Sequence, residues 1–131
     1  MKKSIEVSSS TAQEVLNITA EVTSVVAGIG EAHVLVSVPH TTAAVFIAED
    51  DAELRADFVK VARESLAWLR PFQHVRNDNP NTEAHVFSSL FGTSISLRVE
   101  NGELDLGRYQ NIMFMELDGP KKRSITVSLV T

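Results

Sequence analysis

His40, which closes the apolar run VSVPH, and His74 and His85, which frame the polar stretch QHVRNDNPNTEAH, are the side chains best suited to chemistry in this chain. That stretch holds two histidines, three asparagines, one aspartate and one glutamate around a single proline. Side chains this polar are costly to gather unless they are solvated, paired with one another or bound to something. Imidazole is a good ligand for zinc-like cations, and three imidazoles from separate elements would leave a position open for water or substrate. No compact signature such as HExxH accompanies them. The competing reading is that each histidine caps a turn or hydrogen-bonds a carbonyl. His33 opens an alternating strand with Glu31 on the same face and reads as exposed.

Carboxylates form the second candidate group. Asp50 and Asp51 stand where a helix begins, and capping and the helix dipole suit them there. Glu49 ends a buried strand, where a carboxylate can bind metal or act as a base. Glu116 and Asp118 alternate near a strand end and so share a face, an arrangement that suits a hard cation such as magnesium. Lys121, Lys122 and Arg123 follow within reach of phosphate, although a solvated hairpin tip would carry the same residues. Trp68 reads as a core or subunit contact. No GxSxG, GxGxxG or GxxxxGK[ST] string occurs, which argues against a nucleophile elbow and a doubly wound nucleotide site.

A chain of 131 residues with 44% apolar and 22% charged residues is most simply one domain, residues 1–131, with a core that needs no staples. The absence of cysteine rules out disulfides, a thiolate nucleophile and cysteine-rich zinc sites. A net charge of −5 with one basic cluster argues against a general nucleic-acid surface. The start MKKSIEVSSS lacks the apolar core of a signal peptide, and no run is long enough to span a bilayer. The expected setting is cytoplasmic, with no membrane and no nucleic acid as partners.

The elements that must position these residues are legible from periodicity. Ile5 and Val7 mark a first strand and EVLNIT a second. Thr19 resembles an N-cap for a helix through Val22, Val25 and Val26, ended by Gly28 and Gly30. Val34, Val36 and Val38 alternate as a strand up to Pro39, and AAVFIA reads as a buried strand. Leu54, Phe58, Val61, Ala62, Leu66 and Leu69 predict one long helix from Asp51 to Leu69. A short helix is expected over Glu83 to Phe91, ended by Gly92. Beyond it come strands at Ile95–Val99, Leu104–Leu106, Ile112–Leu117 and Ile125–Leu129. Asn101–Gly102 and Asp118–Gly119–Pro120 turn the chain between them. The order predicts an α+β fold with a mixed, mostly antiparallel sheet, one long helix and C-terminal β-hairpins.

HTTAA with Glu49, Asn81-x-x-x-His85, SSLFGTSISL, VENGELDLG, Gln110 and ELDGPKKR, in this order, resemble the YjbQ-like family, whose members are known as secondary thiamine-phosphate synthases. The resemblance runs from about Ile5 to Val130. It implies a compact subunit assembled as a homotrimer, with polar pockets near subunit boundaries. It also implies a pocket where His40, His74, Asn81 and His85 converge, with Glu49 and Asp118 as additions, holding a zinc- or magnesium-like divalent metal ion. His40, His85, Glu49 and Asn81 are then the expected catalytic residues and His40, His74 and His85 the expected metal ligands. The implied reaction joins a pyrimidine diphosphate to a thiazole phosphate and releases pyrophosphate, so the partner is a phosphorylated small molecule. Arg108, Lys121 and Lys122 are positioned in sequence to stabilise the departing charge. A non-catalytic metal- or metabolite-binding protein is the alternative. The chain departs from the family pattern at GRYQ in place of GTWQ, at EDDAEL, which lacks an Asp-Pro, and at Val75.

Overall fold

The computed structural model describes residues 1–74 and 80–130. The departure at Val75, and Arg76 of the same polar stretch, lie outside the described residues. The described residues form eight strands and three α-helices in the order β1 (Lys2–Ser8), β2 (Glu14–Asn17), α1 (Thr19–Val26), β3 (Ala32–Ser37), β4 (Ala43–Ala48), α2 (Ala52–Glu64), α3 (Thr82–Phe91), β5 (Ser94–Glu100), β6 (Glu103–Leu104), β7 (Asn111–Glu116) and β8 (Lys122–Val130). The strands build two sheets, one ordered β1-β8-β3-β5-β6 and the other β2-β7-β4. Every described ladder is antiparallel.

The three-stranded sheet is the middle of three layers, which explains its sequence. One face, with Ala43, Val45, Ile112 and Phe114, packs against Val34, Val36, Ile125 and Val127 of the larger sheet, with α1 alongside. Its other face, with Ala44, Met113 and Met115, packs against Ala62 of α2 and Ala84 and Phe87 of α3. A strand covered on both faces must be apolar at both parities. AAVFIA and IMFM are therefore continuous apolar runs, whereas the outer strands alternate. Phe46, Phe58, Phe87 and Phe91 seal the helix side, with ring centroids 4.8–6.0 Å apart.

The α+β expectation holds, and the structure refines it at four points. The sheet is divided in two, and the only two-residue hairpin among the described residues is at Asn101–Gly102, between Glu100 and Glu103. Both turn residues have positive φ, 55° and 77°, as a type I′ turn demands. The Asp118–Gly119–Pro120 turn does not close a hairpin. It carries the chain from β7 in one sheet to β8 in the other, because side-chain alternation cannot tell an in-plane partner from a crossing.

The long helix stops at Glu64, and Ala67–Leu69 form a separate 3-10 turn. Ser65 Oγ donates to the Val61 carbonyl at 2.6 Å and Trp68 Nε1 to the Ser65 carbonyl at 3.0 Å, local bonds that compete with helix continuation. Asp51 caps α2 by accepting from Leu54 N at 2.9 Å. Thr19 is the first residue of α1 and not its cap. Asn17 Oδ1 accepts from Thr19 N at 2.9 Å, and Thr19 Oγ1 accepts from Ile112 N at 2.9 Å, tying α1 to β7. Among the described residues no helix is long and apolar enough to cross a membrane.

Candidate functional site

A cavity of about 490 Å³ opens between the residues after α2 and the start of α3, lined by Arg70, Phe72, His74, Pro80, Thr82 and Glu83. Its volume falls within the range of about 300–1,000 Å³ typical of small-molecule sites. His74, on its wall, meets His85 edge to face, ring centroids 5.0 Å apart. His74 is fixed from both ends. Its ring Nε2 lies 3.1 Å from Asn81 Oδ1, and its carbonyl accepts from Thr82 Oγ1 at 3.0 Å. With the amide oxygen accepting, His74 is the donor at Nε2. Asn81 stands just before α3, and His85 lies one turn along, its N–H donating to the Asn81 carbonyl at 3.2 Å.

From Asn81 the polar contacts continue away from the histidines. Asn81 Nδ2 donates to Asp118 Oδ2 at 3.1 Å, and Lys121 Nζ reaches the same oxygen at 3.2 Å. His74, Asn81, Asp118 and Lys121 thus form one connected network, with His85 against its first member. Asp118 is set by Glu116, whose Oε2 accepts from Asp118 N at 3.0 Å.

Glu116 itself is fully buried, between the two sheets. Arg123 of β8 meets it with two bonds, Nε to Oε1 at 2.9 Å and Nη2 to Oε2 at 2.6 Å, and also donates to Thr42 Oγ1 at 2.8 Å. Burial pushes the Glu116 carboxyl up, but the Arg123 hydrogen bonds, the Asp118 N–H and the charges of Arg123 and Lys121 outweigh it. The carboxyl titrates below its ordinary value. This overturns the reading of Glu116 and Asp118 as a paired hard-cation site, because both Glu116 oxygens are already occupied. It also removes Arg123 from the exposed basic cluster.

The other residues singled out from sequence fall in different places. His40 Nε2 lies 3.0 Å from the Ser124 carbonyl and 3.3 Å from Ser124 N, so the ring covers backbone where β3 stops pairing with β8 at Thr126. Glu49 is exposed just past the far end of β4, where Ala48 faces Asn111. Ala43 faces Glu116 at the near end, so about 3.3 Å of rise per residue puts most of a strand's length between Glu49 and the His40 loop. Arg108 lies at that same far end, its guanidinium 5.4 Å from the Tyr109 ring centroid. Lys122 pairs with Glu6 at 3.2 Å, both mostly exposed. Of the three expected charge-bearing residues, Lys121 alone joins the network.

Among the described residues no three His, Asp or Glu side chains are placed to hold a metal ion. His40 is turned to β8 backbone and His74 to Asn81, so the described residues of one chain do not fit the expected three-histidine centre.

Sequence reasoning missed Arg63, Arg70 and Gln13, and it gave Glu83 no role beyond opening a helix. Arg70 Nε and Glu83 Oε1 are 2.6 Å apart across the cavity wall, and the Glu83 contact holds the Arg70 guanidinium above its ordinary value. A second cavity of about 130 Å³ lies alongside, lined by Gln13, Arg63, Arg70, Asn81, Glu83 and Asp118. The i, i+4, i+8 spacing of Arg55, Val59 and Arg63 was the available signal, a single helix face directed at β2.

Two antiparallel sheets backed by helices, with a histidine–amide–carboxylate–lysine network at one end, define a small α+β domain with a preformed pocket beside that network. The chain belongs to the UPF0047 YjbQ-like family, whose model matches residues 3–131. The UPF0047 protein YugU of Bacillus subtilis is 34% identical over 133 residues, covering 99% of each chain. Crystal structures of a hypothetical protein from Aeropyrum pernix and of a YbjQ-like protein of unknown function from Sulfolobus solfataricus superpose with TM-scores of 0.91 and 0.90. Each is 32% identical, and the matches cover 99% and 98% of this chain and 98% and 95% of those chains.

Proposed function

We propose that the chain is a transferase acting on phosphorylated small molecules, of the thiamine-phosphate-synthase type. A thiazole nitrogen attacks the methylene carbon of a pyrimidine diphosphate, the C–N bond forms as the C–O bond breaks, and pyrophosphate leaves with the bonding pair. Such a step asks the protein for orientation and for stabilisation of the leaving charge rather than for covalent chemistry. The observation that carries this reading is the connected network of His74, Asn81, Asp118 and Lys121 beside a cavity of metabolite size. His74 and Asp118 hold the Asn81 amide in place, its second Nδ2–H serves a polar substrate, and Lys121, held by Asp118, supplies positive charge. The resemblance also implies a homotrimer, and the exposure of Trp68 (78%), Leu90 (67%) and Tyr109 (63%) is consistent with surfaces covered by other copies.

Purified protein incubated with the pyrimidine diphosphate and the thiazole phosphate should release thiamine phosphate and pyrophosphate in equal amounts. Tight binding of either compound without product would instead favour the non-catalytic alternative, a metabolite-binding protein.

A further inference from the structure

The smaller cavity has a chemistry of its own. At about 130 Å³ it lies below the range of whole-metabolite sites, about 300–1,000 Å³, but it suits a single anionic group. It adjoins the larger cavity through Arg70, Pro80 and Glu83, which line both. Of the cations on its wall, Arg70 is engaged by Glu83 at 2.6 Å, whereas Arg63 forms no ion pair among the described residues.

Gln13 supplies an independent observation. Gln13 lines this cavity and also the groove beside Arg55, and its Oε1 is buried and has no hydrogen-bond partner among the described residues. A buried acceptor left unpaired costs about 1–3 kcal/mol, so a donor from a ligand is called for. A carboxylate offers none. A phosphate monoester offers both features: anionic oxygens that accept from a guanidinium fork, and, because its second ionisation lies near pH 6, a residual P–OH that can donate. The carboxylates of Asp118 and Glu83 on the same wall disfavour a dianion and select the singly protonated form.

We propose that this cavity is a phosphate-monoester subsite, anchored by Arg63 and read by Gln13, that seats the phosphate of a substrate whose remainder occupies the larger cavity. It deepens the phosphorylated-substrate reading and rests on that reading only for the rest of the molecule. Calorimetric titration of the full-length protein with inorganic phosphate at pH 6.5 and constant ionic strength, with acetate as comparator, tests it. Phosphate should bind at least tenfold more tightly than acetate. Arg63→Gln, on an exposed helix position, should weaken phosphate at least tenfold while melting at the wild-type temperature, and Arg63→Lys should recover part of the loss. Arg55→Gln, which lines a different groove on the same helix, should stay within twofold. Undetectable phosphate binding, equal binding of acetate, or unchanged binding in Arg63→Gln would overturn the proposal. Phosphate binding that persists without product formation would sink the transfer reaction and leave the subsite standing.

Discussion

Glu116 and Arg123 are joined by two hydrogen bonds, the shorter 2.6 Å, across the gap between the two sheets. Glu116 is fully buried and Arg123 is 8% exposed. The pair ties the end of β7 to the start of β8, and through Thr42 and Asp118 N it reaches both the loop after His40 and the polar network.

Removing one partner strands the other as an unpaired buried charge, at a typical cost of about 3–5 kcal/mol. Glu116→Gln should therefore lower unfolding stability by about that amount in urea titration at neutral pH. A loss within 1 kcal/mol, roughly the value of an exposed pair, would show that the pair is not buried as described.

The same carboxyl fixes a pH dependence. Its folded-state value is depressed below the ordinary 4.5, so its contribution is complete above that value and is lost as pH falls from there through the folded-state value. Wild-type stability should drop steeply in that acid window, and Glu116→Gln should flatten the drop. Equal acid slopes for the two proteins would contradict the assignment.

Gly119 is held by its surroundings. A Cβ there would stand 2.6 Å from the Thr11 carbonyl oxygen and 2.7 Å from Glu116 Cγ and Ser9 Oγ. Gly119→Ala should cost about 1–3 kcal/mol, as overpacking does, measured by chemical denaturation. It should also weaken substrate binding by moving Asp118.

Lys121 and Lys122 are neighbours in sequence but separate in role. Lys121→Ala should reduce kcat/KM at least tenfold, and Lys122→Ala, whose partner Glu6 is exposed, should leave it within twofold. Equal losses would place the leaving charge elsewhere.

A trimer should scatter light as a particle of three 14.4 kDa chains. Trp68→Glu, which puts a charge on the most exposed large apolar side chain among the described residues, should shift the population toward smaller species.

Most of the local structure was legible because it is written in short-range pattern. Alternation located the strands, Asn101–Gly102 located its hairpin, and Asp51 located its cap. The division into two sheets was hidden, since the apolar runs in β4 and β7 say that both faces are covered without saying by what. The length of α2 was overestimated because Leu66 and Leu69 keep helical spacing after Ser65 has turned the backbone. At the site, His74, Asn81 and His85 were visible as one dense polar stretch. Arg63 and Gln13 were not, because they meet that stretch only in the folded chain, and Arg123 looked exposed because its buried partner lies across a turn.

Asn81 connects the histidines to Asp118, so the rate of thiamine phosphate formation by Asn81→Ala relative to wild type tests the proposed site most directly. Loss of a preorganised donor of this kind typically costs about 100- to 1,000-fold in kcat. The account predicts a loss of that order, with the fold intact by circular dichroism. A variant that turns over at the wild-type rate would contradict it.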